Sequence, residues 1–307
     1  MRTLCVFLML VVAASVSATD WYILDYWDVP EVPGDPDSST DFSHAFGLAY
    51  RDSEIYVSHF NADELYPDPP FLTNLWVYDM DGNYQCKHFP SDITDIDTGC
   101  VDWKGDADHG GTGWYMGNRR DIEVFFVADN GSSYTSFAGP SNFSGWMYGM
   151  AHNPDNDMLY VSNWVNESGW IAWGSLNGSG HVTTWTQNDN GFPYNALKYV
   201  SVGGASYLFA QYRGLNGSWD NSLHIYNLDA SGIPEDIYVP DEIIDYNEEF
   251  YYPGDISWDG DNFWMLDQNR LNEDGSDYPT EIALPGFSSY TVNITPASLG
   301  HIKAQFK

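Results

Sequence analysis

A motif returns five times along this chain of 307 residues: a small residue, a hydrophobic strand, a polar hairpin, and an aromatic-rich strand that ends in polar residues. Its copies open at Gly47, Gly99, Gly149, Ala196 and Gly254, which stand 52, 50, 47 and 58 residues apart. Each copy is followed by a further strand and a turn rich in Asp, Asn and Gly, as in LWVYDMDGN, EVFFVADNG, IAWGSLNG, LHIYNLDASG and EIALPG. A unit of this length holds four short strands and cannot bury its own apolar faces, so the units must stack against one another. Runs such as FWML, apolar at successive positions, agree, because a strand sandwiched between neighbours is dry on both faces. No segment has a helical period. The expectation is an all-β fold, a β-propeller of five blades with four antiparallel strands each, six blades being the alternative.

After the first 18 residues, a single domain is expected over 19–307, with blades starting near residues 44, 96, 146, 193 and 252. The segment WYILDYW (21–27) is left over at one end, and YTVNI (290–294) or HIKAQF (301–306) at the other. Pairing the two ends would close the ring and remove its exposed strand edges. A sixth blade built from both ends is the other way to use them.

The first 18 residues read as a secretory signal peptide: Arg2, an apolar run from Leu4 to Ala14, then Val16-Ser17-Ala18 before the cleavage point. The expected location is therefore secreted, extracellular or periplasmic, and no stretch is long and apolar enough to span a bilayer. Forty-four acidic residues against eleven basic give a net charge of −33. So negative a surface repels nucleic acid and anionic lipid, and favours cations and cationic partners. Beyond the signal only Cys86 and Cys100 remain, either as one disulfide or as two free thiols; their expected strands lie far apart for a bridge.

In a propeller, the loops entering each innermost strand and those leaving each second strand share one face around the central channel. Oxygen atoms of Asp97, Asn118, Asn163, Asp255 and Asp267 would meet there and suit a hard cation such as Ca2+, the one cofactor the sequence suggests. His44, His59, Trp146, Tyr148, Trp164 and Tyr212 would supply a ligand-binding rim of imidazoles and flat aromatic faces. Packing between blades is the alternative role for all of them. The acidic turn Asp79–Asn83 reads as a hairpin turn, since position 90, where a calcium loop places its bidentate carboxylate, is Pro90. Asp106–Asp108, Asp155–Asp157 and Asp259–Asp261 fall between the first two strands of their blades and read the same way. No nucleophile elbow, paired-histidine metal motif or phosphate-cradling loop occurs, and no catalytic residue is assigned. Asn130, Asn142, Asn166, Asn177, Asn216 and Asn293 open Asn-x-Ser/Thr triplets, glycan acceptors if the chain passes through a eukaryotic secretory pathway.

The units, GMAHNPDNDMLYVSNW above all, resemble the blades of secreted bacterial β-propellers in the broad class of gluconolactonase-like, streptogramin-lyase-like and glutaminyl-cyclase-like proteins. In the lactonase-like branch a metal-binding Asn precedes the glycine that opens an inner strand. The matching positions here are Phe46, Thr98, Tyr148, Asn195 and Pro253, of which only Asn195 fits. Two readings follow. The leading one is a secreted, non-catalytic propeller that binds an extracellular carbohydrate, protein or cation, or self-associates. The alternative is a calcium-assisted lyase or hydrolase working at the channel mouth.

Overall fold

Residues 21–27, 44–60, 72–94, 96–118, 121–143, 146–165, 168–214, 221–246, 253–268, 277–284 and 287 are described by a computed structural model, and among them there is no helix. Five antiparallel sheets form a ring, a five-bladed β-propeller. Blade one holds β2 (His44–Arg51), β3 (Glu54–Phe60), β4 (Leu72–Asp79) and β5 (Tyr84–Lys87), with the short β6 (Ile93–Thr94) also on β4. Blade two holds β7 (Thr98–Lys104), β8 (Gly113–Asn118), β9 (Glu123–Ala128) and β10 (Tyr134–Ala138). Blade three holds β11 (Trp146–Asn153), β12 (Met158–Val165), β13 (Ser168–Ser175) and β14 (Thr186–Asp189). Blade four holds β15 (Tyr194–Val202), β16 (Ala205–Tyr212), β17 (Ser222–Asn227) and β18 (Glu242–Asp245). Blade five holds β19 (Pro253–Trp258), β20 (Phe263–Gln268) and β21 (Asp277–Ala283), and its fourth strand comes from the other end of the chain: β1 (Tyr22–Tyr26). The inner strands β2, β7, β11, β15 and β19 touch in that order, and β19 returns to β2.

The double-sided apolar runs now have a cause. Side chains alternate across a strand, so consecutive residues enter two different cores, one on each side of the blade. Trp114 and Met116 pack between blades one and two, while Tyr115 between them packs toward blade three. Leu208 and Ala210 face blade three, and Phe209 faces blade five. Five such clusters, one per pair of neighbouring blades, make up the hydrophobic interior.

The turn after the third strand follows one pattern in four blades. The amides of Gly82, Gly131, Gly180 and Gly232 each bond the carbonyl three residues earlier, and each glycine has a positive φ, which a residue with a Cβ adopts at a cost. The inner strands also need small residues, because they converge on a narrow axis. A Cβ on Gly149 would lie 2.2 Å from Ser162 Oγ and within 2.9 Å of the Ala196 and Leu197 backbone. Ser162 can rotate, but the backbone of blade four cannot yield without opening the ring. Gly149→Ala is expected to cost about 1–3 kcal/mol, read as a lower urea midpoint; an unchanged midpoint would show that the inner strands separate freely.

β1 runs antiparallel to β21, with Tyr22 opposite Ala283 and Tyr26 opposite Thr280. The end segments 290–294 and 301–306 lie outside the described residues, as do residues 1–18. Tryptophans at the two ends of β1 reach both neighbouring blades. Trp21 donates to the Asp245 carbonyl of blade four (2.9 Å) and meets Tyr246 edge-on, whereas Trp27 packs on Tyr78 of blade one. Cys86 and Cys100 are both free, the first exposed on β5 and the second buried on β7. Burial pushes the Cys100 thiol well above its ordinary range.

Candidate functional site

Strand pairing brings the expected mouth residues to one end of the ring. The first residue of each inner strand stands opposite the end of the second strand: His44 opposite Phe60, Thr98 opposite Asn118, Trp146 opposite Trp164, Tyr194 opposite Tyr212, and Pro253 opposite Asp267. The backbones of His44, His59, Trp164 and Asp267 are thus placed at the mouth, while their side chains lie outside the described set.

Every inner strand is then interrupted by a shift in register, between Ala45 and Leu48, Thr98 and Cys100, Met147 and Gly149, Tyr194 and Ala196, and Pro253 and Ile256. A bulge re-aims the residue it carries. Asn195 and Asp255 sit at these bulges, and both reach neighbouring blades. Asn195 Nδ2 donates to the Pro253 carbonyl (3.0 Å). Asp255 Oδ2 accepts from the Leu48 amide of blade one (3.0 Å) and the Val101 amide of blade two (3.3 Å), and Oδ1 accepts from its neighbour Ile256 (2.9 Å). Burial pushes the Asp255 carboxyl well above the usual range, against the pull of those three amides.

Three of the other residues expected to hold a cation are described with their side chains. Asn163 Oδ1 accepts from the Trp170 amide (2.9 Å), Asn118 Nδ2 donates to Asp121 (3.3 Å), and Asp97 is fully buried. Among the described residues, no three His, Cys, Asp or Glu side chains gather closely enough to hold a metal ion. Deeper in the channel, Asp102 of blade two receives the His152 amide of blade three (2.6 Å) and the Lys198 ammonium of blade four.

In the blade-three hairpin Asp155 Oδ2 accepts from the Tyr199 hydroxyl of blade four and Asp157 faces His109 of blade two, whereas two other acidic hairpins fold a carboxylate onto themselves. Asp79 Oδ1 accepts from the Asp81 and Asn83 amides, and Asp259 Oδ1 from the Asp261 and Asn262 amides. The hairpin after β7 differs, because it closes around a cation. The fully buried ammonium of Lys104 donates to the Asp106 carbonyl (3.0 Å), Asp106 Oδ1 (2.5 Å), the Gly111 carbonyl (3.3 Å) and the Asp108 carbonyl. Burial works against the Asp106 charge, yet the Lys104 bond and charge hold that carboxyl below its usual range.

The mouth beside blades three and four is aromatic. Trp146, Tyr148, Phe192 and Tyr212 are partly exposed, and Trp146 meets Tyr148 edge-on at 5.9 Å. Beneath Tyr212 lies a group that sequence reading missed. The imidazole of His224 on β17 stacks on Tyr212 (5.2 Å), meets Phe192 edge-on (5.0 Å), and shares a 2.8 Å hydrogen bond through Nδ1 with the Tyr194 hydroxyl. Tyr194 also bonds the Tyr226 hydroxyl. The available signal was the alternation in Leu-His-Ile-Tyr, which sets His224 and Tyr226 on one face of β17.

Burial lowers His224 to about 4 and raises Tyr226 to about 12. The cluster is uncharged at neutral pH. A depressed histidine stabilises the fold above its unfolded value of about 6.5, and that contribution is lost as pH falls toward 4. The shift corresponds to about 3 kcal/mol. Denaturant midpoints between pH 7 and pH 4 should therefore fall more steeply for the parent than for His224→Gln; parallel profiles would remove His224 from this linkage.

Of the glycan-acceptor candidates, Asn130 and Asn142 are exposed. Asn177 is partly buried and its Oδ1 accepts from the Ser179 and His181 amides. Asn166, Asn216 and Asn293 lie outside the described residues.

No protein-family model matches the chain, and no curated protein matches it. Solved structures do resemble it. An exo-β-1,3-galactanase from Phanerochaete chrysosporium, solved with galactose, is 14% identical with a TM-score of 0.50 over 80% of this chain and 61% of the galactanase. A nidogen/laminin complex is 14% identical with a TM-score of 0.47, over 79% of this chain and 86% of that one. The PQQ-bound aldose sugar dehydrogenase of Streptomyces coelicolor is 13% identical with a TM-score of 0.41, over 76% and 75%. At such identities the likeness speaks of fold alone, and it agrees with the broad β-propeller class.

Proposed function

We propose that this protein is a secreted, non-catalytic propeller that binds an extracellular ligand with flat apolar faces, a carbohydrate foremost, at the channel mouth beside blades three and four. The observation that carries the reading is the rim of partly exposed rings, Trp146, Tyr148, Phe192 and Tyr212, the last two packed on an imidazole that burial keeps neutral. Flat aromatic faces offer large contact area at low entropic cost. The ionisable groups nearby are committed to internal bonds: Asp255 to three backbone amides, and His224 to Tyr194. A buried network of that kind stiffens the platform under the rings.

One observation favours the calcium-assisted alternative. Asn195 Oδ1 is buried without a hydrogen-bond partner among the described residues, as an oxygen reserved for a cation would be. The two readings separate in one titration. Tryptophan fluorescence of the chelator-treated protein is followed while neutral or acidic oligosaccharides are added, with calcium chloride as a separate arm. A saturable response to sugar, weakened about tenfold or more in a Trp146→Ala, Tyr212→Ala variant, is expected. No response to sugar, or a response the variant leaves intact, would sink the mouth site. Tight calcium binding lost in Asn195→Ala would favour the alternative.

A further inference from the structure

Away from the mouth, a cleft of about 360 Å³ opens on the side of the ring between blades three and four. Its base is Met158, Trp173 and Gly174, the first two almost fully buried. Ser175, Thr183, Thr184 and Thr186 form one wall and Ser231 the other, with the exposed Ile233 at the edge. All five hydroxyls belong to exposed residues. No charged side chain lines the cleft, although the chain carries 44 acidic residues and 11 basic ones.

The walls are held in place by the packing of the two blades. The blade-four turn is pinned to blade three by the Tyr160 hydroxyl, which donates to the Gly232 carbonyl (2.5 Å), and by Asn156 Nδ2, which donates to the Ala230 carbonyl (3.0 Å). A Cβ on Gly232 would stand 3.0 Å from Met158 Sδ, and one on Gly174 would stand 2.6 Å from the Thr184 carbonyl. Glycine at these two positions lets both walls close onto the base. The cleft is therefore formed before any ligand arrives, and its volume falls in the range of small-molecule sites.

We infer that this cleft is a second, lateral binding site for a neutral saccharide. A hydroxyl both donates and accepts, so a row of exposed serine and threonine hydroxyls matches the alternating demands of sugar hydroxyls. The thioether and indole at the base suit the apolar face of a pyranose ring. Charge selects the class. An acidic sugar would enter a strongly negative protein with no basic group in the cleft to receive it, whereas a neutral one meets no such penalty.

The test is calorimetric titration of the intact protein with glucose, galactose and mannose hexasaccharides, alongside an oligogalacturonate. Thr186→Arg and Ser231→Arg fill the cleft from opposite walls, and both positions are exposed, so folding is checked simply by an unchanged melting profile. Binding of at least one neutral oligosaccharide, weakened about tenfold or more by each arginine, is expected. The Trp146→Ala, Tyr212→Ala variant should retain that binding, which separates the cleft from the mouth. Binding at parental strength in both arginine variants, binding of the acidic oligomer alone, or no neutral sugar bound at millimolar concentration would each overturn the inference.

Discussion

Replacing Lys104 with methionine should lower the free energy of unfolding by about 3–5 kcal/mol. The ammonium is fully buried and surrounded by the Asp106 carboxylate and the carbonyls of Asp106, Asp108 and Gly111. Methionine fills similar space but leaves those oxygens facing one another with nothing between them. The loss is one of uncompensated acceptors more than of attraction. Urea unfolding of Lys104→Met, Asp106→Ala and the double variant would show it, the double variant recovering part of the single loss because the stranded carboxylate is gone. A Lys104→Met protein within about 0.5 kcal/mol of the parent, the range of surface substitutions, would show that the hairpin accepts water in place of its cation.

A chain lacking Trp21–Trp27 should fail to give a soluble, cooperatively melting protein. Without β1, the β21 edge of blade five is bare, and an unpaired edge is a template for association. The missing segment also carries Trp21, bonded to Asp245, and Trp27, packed on Tyr78, so blade five loses a tie to each neighbour. Size-exclusion chromatography and thermal melting give the result directly, and a synthetic Trp21–Trp27 peptide should restore monomer by adding back the strand. A monomeric truncated protein that melts like the parent would show that β1 is dispensable.

Much of the architecture was legible because it is local and repeated. The openings at Gly47, Gly99, Gly149, Ala196 and Gly254 fall within strands β2, β7, β11, β15 and β19, and a spacing near 50 with alternating cores leaves few folds other than a ring of blades. Turn geometry was readable to within about two residues: the turn ends read at Asn83 and Gly178 give way to Gly82 and Gly180 as the residues with positive φ. The site was less legible, since its contacts join distant residues. Nothing near His224 in the sequence announces Tyr194 or Tyr212, and nothing in the run Asp106–Gly111 says that its cation is Lys104 rather than a free ion. Asp255 illustrates the limit. Its place at the mouth follows from the repeat, but two of its three amide donors exist only because a bulge turns it toward blades one and two.

Those amides have a consequence for how the ring comes apart. In most repeat proteins each unit touches only the next, so stability is a sum of neighbour terms and unfolding can spread from one end. Here Asp255 ties blade five to blade two past blade one, and Lys198 ties blade four to Asp102 of blade two past blade three. Each bond skips a blade. A blade that loosens must therefore strain partners it does not adjoin, and the five units are expected to melt as one cooperative body instead of peeling away in turn.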